Sequence, residues 1–452
     1  MGFKFVMSSN YDENKPSILF GDFVYRVNSK NLFATRFIMN TAKILSKDFN
    51  VFMFSLSSNI KGAQDLIDLY NTINYVFLDD KEITFIRKKE AKNCVEQNKN
   101  IARKMIARDL DFIKNVKGVF IRPSVLFKSD MQNELYDTIK SDEESLRIAE
   151  EEVKKMNDLI VRGTMYSYTM FMTKSTRIIF DTFEYFINRD KCHVWQFVID
   201  PAHYYKYFNV KHNAKTYYFE NDMRGNREFF EFPMGQLNHF YNADKIEVPN
   251  FEDKNNLFIW GGVCLFPKGG RMEDWHRLLA NFNYERSALH VAKGSAMKVD
   301  KNPKVAKKLI ENPLYKVTKE TIDNHPLNEG ILPNKEFEEK LKDYRYTLIL
   351  KCLSENDSLN FRIYYSLLYN MIPFIDVDYD PENIQIPKKF KDKLVVSNTD
   401  EIISKIEYFE NNIEEAKKLL SELKQYFMNE KYFNESYYEN EFKKNYFKEL
   451  YQ

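Results

Sequence analysis

Short apolar runs of β character alternate along this chain with amphipathic helical stretches. That alternation points to parallel sheets with crossover helices, an α/β fold. The runs lie at 51–56, 118–121, 194–199, 257–260, 288–291, 346–350, 371–375 and 394–396. They fall into two groups, and residues 232–251, with Pro233, Gly235, Pro249 and several polar residues, read as the linker between two sheet-centred domains. A length of 452 residues suits two to three domains at roughly 150 residues each, and 44% apolar content can fill more than one core. Beyond residue 401 the pattern turns helical, with Ile402, Ile406, Phe409, Ile413, Ala416, Leu419 and Leu423 spaced by three and four. The expected organisation is a first domain at 1–245, a second at 246–425, and a helical segment at 426–452 long enough to cross back to the first.

Sixty-seven Lys and Arg against 66 Asp and Glu leave a formal charge of +1, which excludes a polycation built to coat nucleic acid. Any DNA-binding surface must be local. Residues 81–117 hold eleven basic against five acidic side chains and read as helix from about residue 86; residues 137–158 hold eight acidic against four basic. These stretches are either solvated helices that neutralise each other or, for the basic one, a track for a phosphate backbone. Cys94, Cys192, Cys264 and Cys352 form no CxxC pair, so neither a disulfide framework nor a structural zinc site is indicated, and a reducing, cytoplasmic setting follows. Neither a signal-peptide core nor a run of membrane-spanning length occurs, so a soluble chain with no membrane partner is expected.

Three stretches carry chemistry-bearing residues. The run ending at Trp260 leads into Gly261-Gly262 and then Lys268-Gly269-Gly270-Arg271 before a helical stretch. Glycines admit close approach of a phosphate, a helix N-terminus offers free N–H groups, and the two cations neutralise the anion. The spacing is neither a dinucleotide fingerprint nor a P-loop, and a simple turn is the alternative. Next, Arg362 falls in the first turn of a helix after the run 346–350, at the sheet edge where open α/β folds bind ligands. A cation at a helix N-terminus is unfavourable without an anion; its alternative partners are Glu355 and Asp357. Finally, Asp200 ends the run 194–199, where it suits a general base facing a crevice or merely caps the turn at Pro201. Seven scattered histidines show no metal-ligand spacing.

In order and spacing these motifs resemble those of the phage DNA β-glucosyltransferases, GT-B enzymes that glucosylate 5-hydroxymethylcytosine in duplex DNA and belong to phage DNA modification and restriction evasion. Gly261, Gly262 and Arg271 resemble that family's diphosphate-binding turn, with Lys268 standing in for a second arginine after a two-residue insertion. The stretch from Asn356-Asp357 through Phe361-Arg362 to Pro373-Phe374-Ile375-Asp376 resembles the family's nucleotide-contacting segment. Tyr365 stands where the family has a ribose-binding glutamate; a tyrosine offers only one comparable hydrogen bond. Asn328-Glu329-Gly330-Ile331-Leu332-Pro333 resembles the loop whose backbone holds uracil, which gives Leu332 that role. Gln236 lies in a stretch similar to the family's interdomain linker, and Asp200 stands at the catalytic base. The regions 81–117 and 137–186 are enlargements of the first domain.

The resemblance implies a GT-B fold, two Rossmann-like domains facing a central cleft with a C-terminal helix crossing back, in a monomer acting in the cytoplasm of an infected bacterial host. It implies an inverting, UDP-sugar-dependent hexosyltransferase with UDP-glucose as donor and duplex DNA containing 5-hydroxymethylcytosine or 5-hydroxymethyluracil as acceptor. Mg2+ or Mn2+ is an optional cofactor. Asp200 would deprotonate the hydroxymethyl group of a flipped-out base, and the leaving UDP would be held by Arg271, Arg362 and Lys268. Lys88, Lys89 and Arg103 are the candidates for DNA contact. Two alternatives stand: a GT-B enzyme with a small-molecule or glycan acceptor, and an inactive DNA- or nucleotide-binding relative.

Overall fold

The structure, a computed structural model, describes residues 2–21, 36–55, 64–78, 103–121, 174–198, 215–218, 230–233, 236–237, 246–260, 272–291, 313–330, 332, 334–350, 361–379 and 386–452. These form two compact units. One draws on 1–218, 228–232 and 434–452, the other on 219–227 and 233–433. Both are α/β, built on sheets that are wholly or almost wholly parallel, the class that the alternation of runs predicts.

In the first unit the strands are β1 (Phe3–Val6), β2 (Ser17–Phe20), β3 (Asn50–Ser55), β4 (Asn74–Leu78), β5 (Val116–Ile121), β6 (His193–Val198), β7 (Lys215–Tyr218) and β8 (Phe230–Glu231). Their spatial order is β1-β4-β3-β2-β5-β6-β7-β8, and among the described residues only β1 runs antiparallel to its neighbour. The chain steps outward from β2 to β4 and then returns to β5, so the order reverses between β2 and β5. Helices α1 (Arg36–Leu45), α2 (Gln64–Leu69) and α3 (Lys174–Asp190) belong to this unit. Strand periodicity of two sorts the core by face. Leu19, Val119 and Ile121 join Phe183, Phe186 and Ile187 of α3 on one side. On the other side Phe120 stacks between Phe20 (4.4 Å) and Trp195 (4.9 Å).

That second face is covered by the chain's last described segment. After the helix Glu435–Glu441, Phe442, Phe447 and Leu450 are buried. The Phe447 ring lies 5.0 Å from Phe120 and 5.7 Å from Trp195. Gly118 is required here, since a Cβ would come within 2.7 Å of the Trp195 ring and 2.8 Å of Leu450. Lys47 pairs with Glu435 and Glu439, and Tyr451 Oη donates to Asp48 Oδ2 at 3.2 Å. The expectation of helix from residue 86 to 117 is corrected at its end: Ile106–Leu110 closes as a π turn and Val116 opens β5. Burial of Ile106, Leu110, Ile113 and Val116 in one cluster decides this over local charge.

Among the described residues the second unit has five parallel strands, β9 (Asn255–Trp260), β10 (Ala288–His290), β11 (Tyr344–Ile349), β12 (Ile372–Asp376) and β13 (Val395–Val396), in the order β10-β9-β11-β12-β13. Helices α4 (Met272–Leu278), α5 (Pro313–Asn324), α6 (Asn334–Lys342), α7 (Phe361–Leu368), α8 (Lys388–Leu394), α9 (Thr399–Asn411) and α10 (Ile413–Phe427) accompany them. The apolar stripe expected beyond residue 401 is the buried face of α9 and α10. Asn398 caps α9, its side chain accepting from the Glu401 N–H at 2.9 Å. Lys254, just before β9, is buried, and its Nζ donates to the carbonyls of Tyr369 (2.5 Å), Tyr344 (3.4 Å) and Asn370 (3.4 Å). It thereby satisfies carbonyls left open at the C-terminal end of α7. Among the described residues no helix is long and apolar enough to cross a membrane.

Candidate functional site

Parallel strands point their C-terminal ends to one edge, and in the second unit the chain reverses direction there. From β9 it steps outward to β10 and then crosses back to β11 on the other side of β9. The C-terminal ends of β9 and β11 therefore flank a topological switch point, the position at which open α/β sheets hold ligands. The residues that follow these two strands are 261–271, with Gly261, Gly262, Lys268 and Arg271, and 351–360, which lead into α7. Both stretches lie outside the described residues, as do Asp200, Lys88 and Lys89. Asp200 comes two residues after the end of β6. Arg103 is exposed.

Three of the expected donor-site residues are described. Arg362 is half-buried in the first turn of α7, a turn with no acidic side chain. As α7 connects parallel strands, its N-terminus sits at the same sheet edge. Tyr365, one turn along, is 1% exposed, with its ring 5.2 Å from that of Tyr369. A ribose contact from its hydroxyl would need that ring uncovered. Leu332 is half-buried and belongs to a loop tied to β10. Gln236 is also buried, with Nε2 3.4 Å from Tyr364 Oη and 3.5 Å from the Phe427 carbonyl.

The loop around Leu332 is held more firmly than the sequence suggests. Asn328 pairs with Leu289 as an isolated parallel bridge, Leu289 N donating to the Leu327 carbonyl and Glu329 N to the Leu289 carbonyl. The buried Asn328 side chain accepts from Val291 N (3.2 Å) and Gly330 N (3.0 Å) and donates to the Ile322 carbonyl (3.0 Å). Gly330 adopts φ 78°, open to glycine at little cost. His290, the last residue of β10, meets the Gly330 carbonyl through Nδ1, and the Leu332 N–H points at its imidazole, 2.9 Å from Nδ1 and 3.2 Å from Nε2. Burial lowers the His290 pKa, favouring the neutral ring. Nothing in the histidine spacing marked this residue; its place at the end of an apolar run was the available signal.

At the end of β12, Asp376 is fully buried and accepts from Arg277 of α4 (2.7 Å) and from Asp378 N (3.3 Å). Burial raises its carboxyl pKa against the pull of Arg277. Among the described residues Oδ2 finds no hydrogen-bond donor. Asp274 and Asp378 complete a group of three carboxylates within 4.8 Å of one another. Arg277 bridges all three, at 2.9, 2.7 and 3.5 Å for Asp274, Asp376 and Asp378, and supplies the charge a cation would bring. This is an arginine-centred cluster that fixes α4 to β12, not a donor set left open for a metal. A cavity of about 340 Å3, lined by Leu368, Asn370, Lys424 and Met428 among others, lies by the C-terminal end of α7, away from the switch point.

No protein-family model matches the chain, and no curated protein matches its sequence. Among solved structures it is similar to the S. aureus MnaA–UDP co-structure, at 10% identity over 90% of this chain and 91% of that one, with a TM-score of 0.39. It is also similar to Arabidopsis thaliana UGT89C1 complexed with UDP, at 6% identity over 94% of this chain and 99% of that one, with a TM-score of 0.41. TM-scores below 0.5 describe a likeness of coarse arrangement only.

Proposed function

We propose that the chain is an inverting, GT-B-type glycosyltransferase that moves a sugar, glucose in the first instance, from UDP to the hydroxymethyl group of a modified pyrimidine in duplex DNA. The observation that supports it most is the switch point of the second unit. The glycine-rich stretch 261–271 follows β9, the segment leading to Arg362 follows β11, and the tied loop of Leu332 follows β10 in space. On this reading Arg271, Arg362 and Lys268 neutralise the diphosphate, with Gly261 and Gly262 admitting its close approach. The Leu332 N–H is already given to His290, so the loop offers uracil carbonyl oxygens that can accept from the N3–H. Tyr365 lines the ribose end once its ring is uncovered.

Asp200 takes the proton of the acceptor hydroxyl as the oxygen attacks the anomeric carbon. The C1–O bond to UDP breaks in the same step, inverting configuration, and the departing charge falls on the cations. One base suffices, unlike the carboxylate pair of a hydrolase. The arginine-bridged acidic cluster does not fit a resident divalent ion, so no step is assigned to one. A base stacked in a duplex must flip out to react, and Lys88, Lys89 and Arg103 are assigned to the DNA phosphates.

The test is transfer of labelled sugar from a panel of UDP-sugars to duplex DNA containing cytosine, 5-hydroxymethylcytosine or 5-hydroxymethyluracil, with Asp200→Asn in parallel. Label on one hydroxymethylated DNA, lost in the variant, identifies donor and base together. UDP binding without label on any DNA refutes the DNA acceptor.

A further inference from the structure

A neutral imidazole has one donor and one acceptor, and the loop 328–332 presents one of each to His290. With the proton on Nδ1 the ring donates to the Gly330 carbonyl, and the Leu332 N–H, 2.9 Å from Nδ1 and 3.2 Å from Nε2, rests on the electron-rich face of the neutral ring. The imidazole thus clips the loop on both sides of residue 331. Phe258 of β9 stacks along the ring at 6.3 Å and Phe337 of α6 leans on it at 5.2 Å, fixing its plane. A second proton would make the ring a cation beneath that N–H, turning the attraction into repulsion, and the Leu332 peptide would have to move.

We infer that His290 is a positioning residue for the nucleotide base, and that acid releases the Leu332 loop and weakens donor binding through this one ring. The inference rests on the uracil-binding role proposed above for that loop. The charged groups facing the ring are Glu329, from the loop, which favours its protonation, and Lys340, from α6, which opposes it. These two pair with each other, so their effects on the ring largely cancel. Among the described residues β9 contributes only the Phe258 ring. Desolvation is the largest influence and holds the imidazole neutral at pH 7.

The experiment is calorimetric titration of UDP from pH 5 to pH 8 into the wild-type chain, His290→Gln and His290→Leu, with hydrogen exchange of the peptide spanning residues 327–333. Glutamine keeps one donor and one acceptor but does not titrate, so it carries only the pH dependence of the UDP phosphate. Wild type should lose roughly tenfold more affinity than His290→Gln between pH 7.5 and pH 5, the loss of about one hydrogen bond. Its loop peptide should exchange faster in acid while that of His290→Gln does not. His290→Leu should bind weakly at every pH, and His290→Gln should restore binding at pH 7.5. Parallel pH profiles for wild type and His290→Gln would overturn the inference while leaving the donor assignment intact. Failure of wild type to bind UDP at any pH would overturn both.

Discussion

Replacing Lys254 by methionine should remove a pH dependence of stability that the wild-type second unit owes to one amine. Burial pushes the Lys254 pKa down from 10.5 to about 7, with Lys424 adding to the depression. Between those values the unfolded chain holds a proton that the folded chain has partly released, so stability rises with pH through the window and falls as pH drops toward 7. At about 1.36 kcal/mol per pH unit, the rise from pH 7 to pH 9 comes to about 2 kcal/mol. This is an upper value, because the carbonyls of Tyr344, Tyr369 and Asn370 around Nζ favour the charged amine. Methionine keeps most of the side-chain volume but strands those carbonyls, at about 1 kcal/mol each. The variant should therefore be clearly weaker than wild type at pH 9 and close to it at pH 7. Urea melts followed by circular dichroism at half-unit intervals give the difference between the two proteins, in which the other titrating groups largely cancel. A constant difference from pH 7 to pH 9.5 would refute the argument, since it would mean that Lys254 keeps its ordinary pKa when buried.

Three further outcomes are expected. Asn328→Ala removes three buried hydrogen bonds and should cost about 3 kcal/mol in urea melts, with faster hydrogen exchange at Val291 and Gly330 than elsewhere in the second unit. Phe447→Ala should destabilise the first unit by about 3–5 kcal/mol, the usual range for a buried aromatic ring, and raise proteolysis in β5 and β6 while the second unit resists. The Cys192 thiol is pushed up to about 12, chiefly by burial, so at pH 8 the native protein should alkylate there at least about a hundredfold more slowly than the urea-unfolded chain, as mass spectrometry would read.

What the sequence disclosed follows from how each element is buried. Strands β9, β11 and β12 are buried along their length and carry mostly apolar residues, so 257–260, 346–350 and 371–375 stand out. Strand β1 has only four residues, one of them Lys4, and pairs along a single neighbour, so its periodicity is too short to detect. Strands β2 and β4, of four and five residues, are buried throughout but are not among the runs read from the sequence. At the candidate site, residue types were legible but contacts were not. Tyr365 can be read from the sequence, yet its burial against Tyr369 depends on the packing of α7. His290 and Leu332 are 42 positions apart, and they meet through the parallel bridge and side-chain hydrogen bonds of Asn328, which no local pattern reports. Arg277 likewise gathers Asp274, Asp376 and Asp378 across 99 or more positions in two of its three pairings, a span no local pattern reports.

The first unit's sheet is closed on one side by Phe442, Phe447 and Leu450, which come some 200 residues after β8. On the ribosome this reverses the usual order of events. Residues 233–433 can emerge and fold as a complete unit, whereas the N-terminal sheet must wait with Phe120 and Trp195 uncovered. At 5–20 residues per second that wait lasts roughly 10–40 s. During it a broad aromatic face is open to chaperones and to other nascent chains, so the yield of folded protein should depend on how that face is shielded before residues 442–450 arrive.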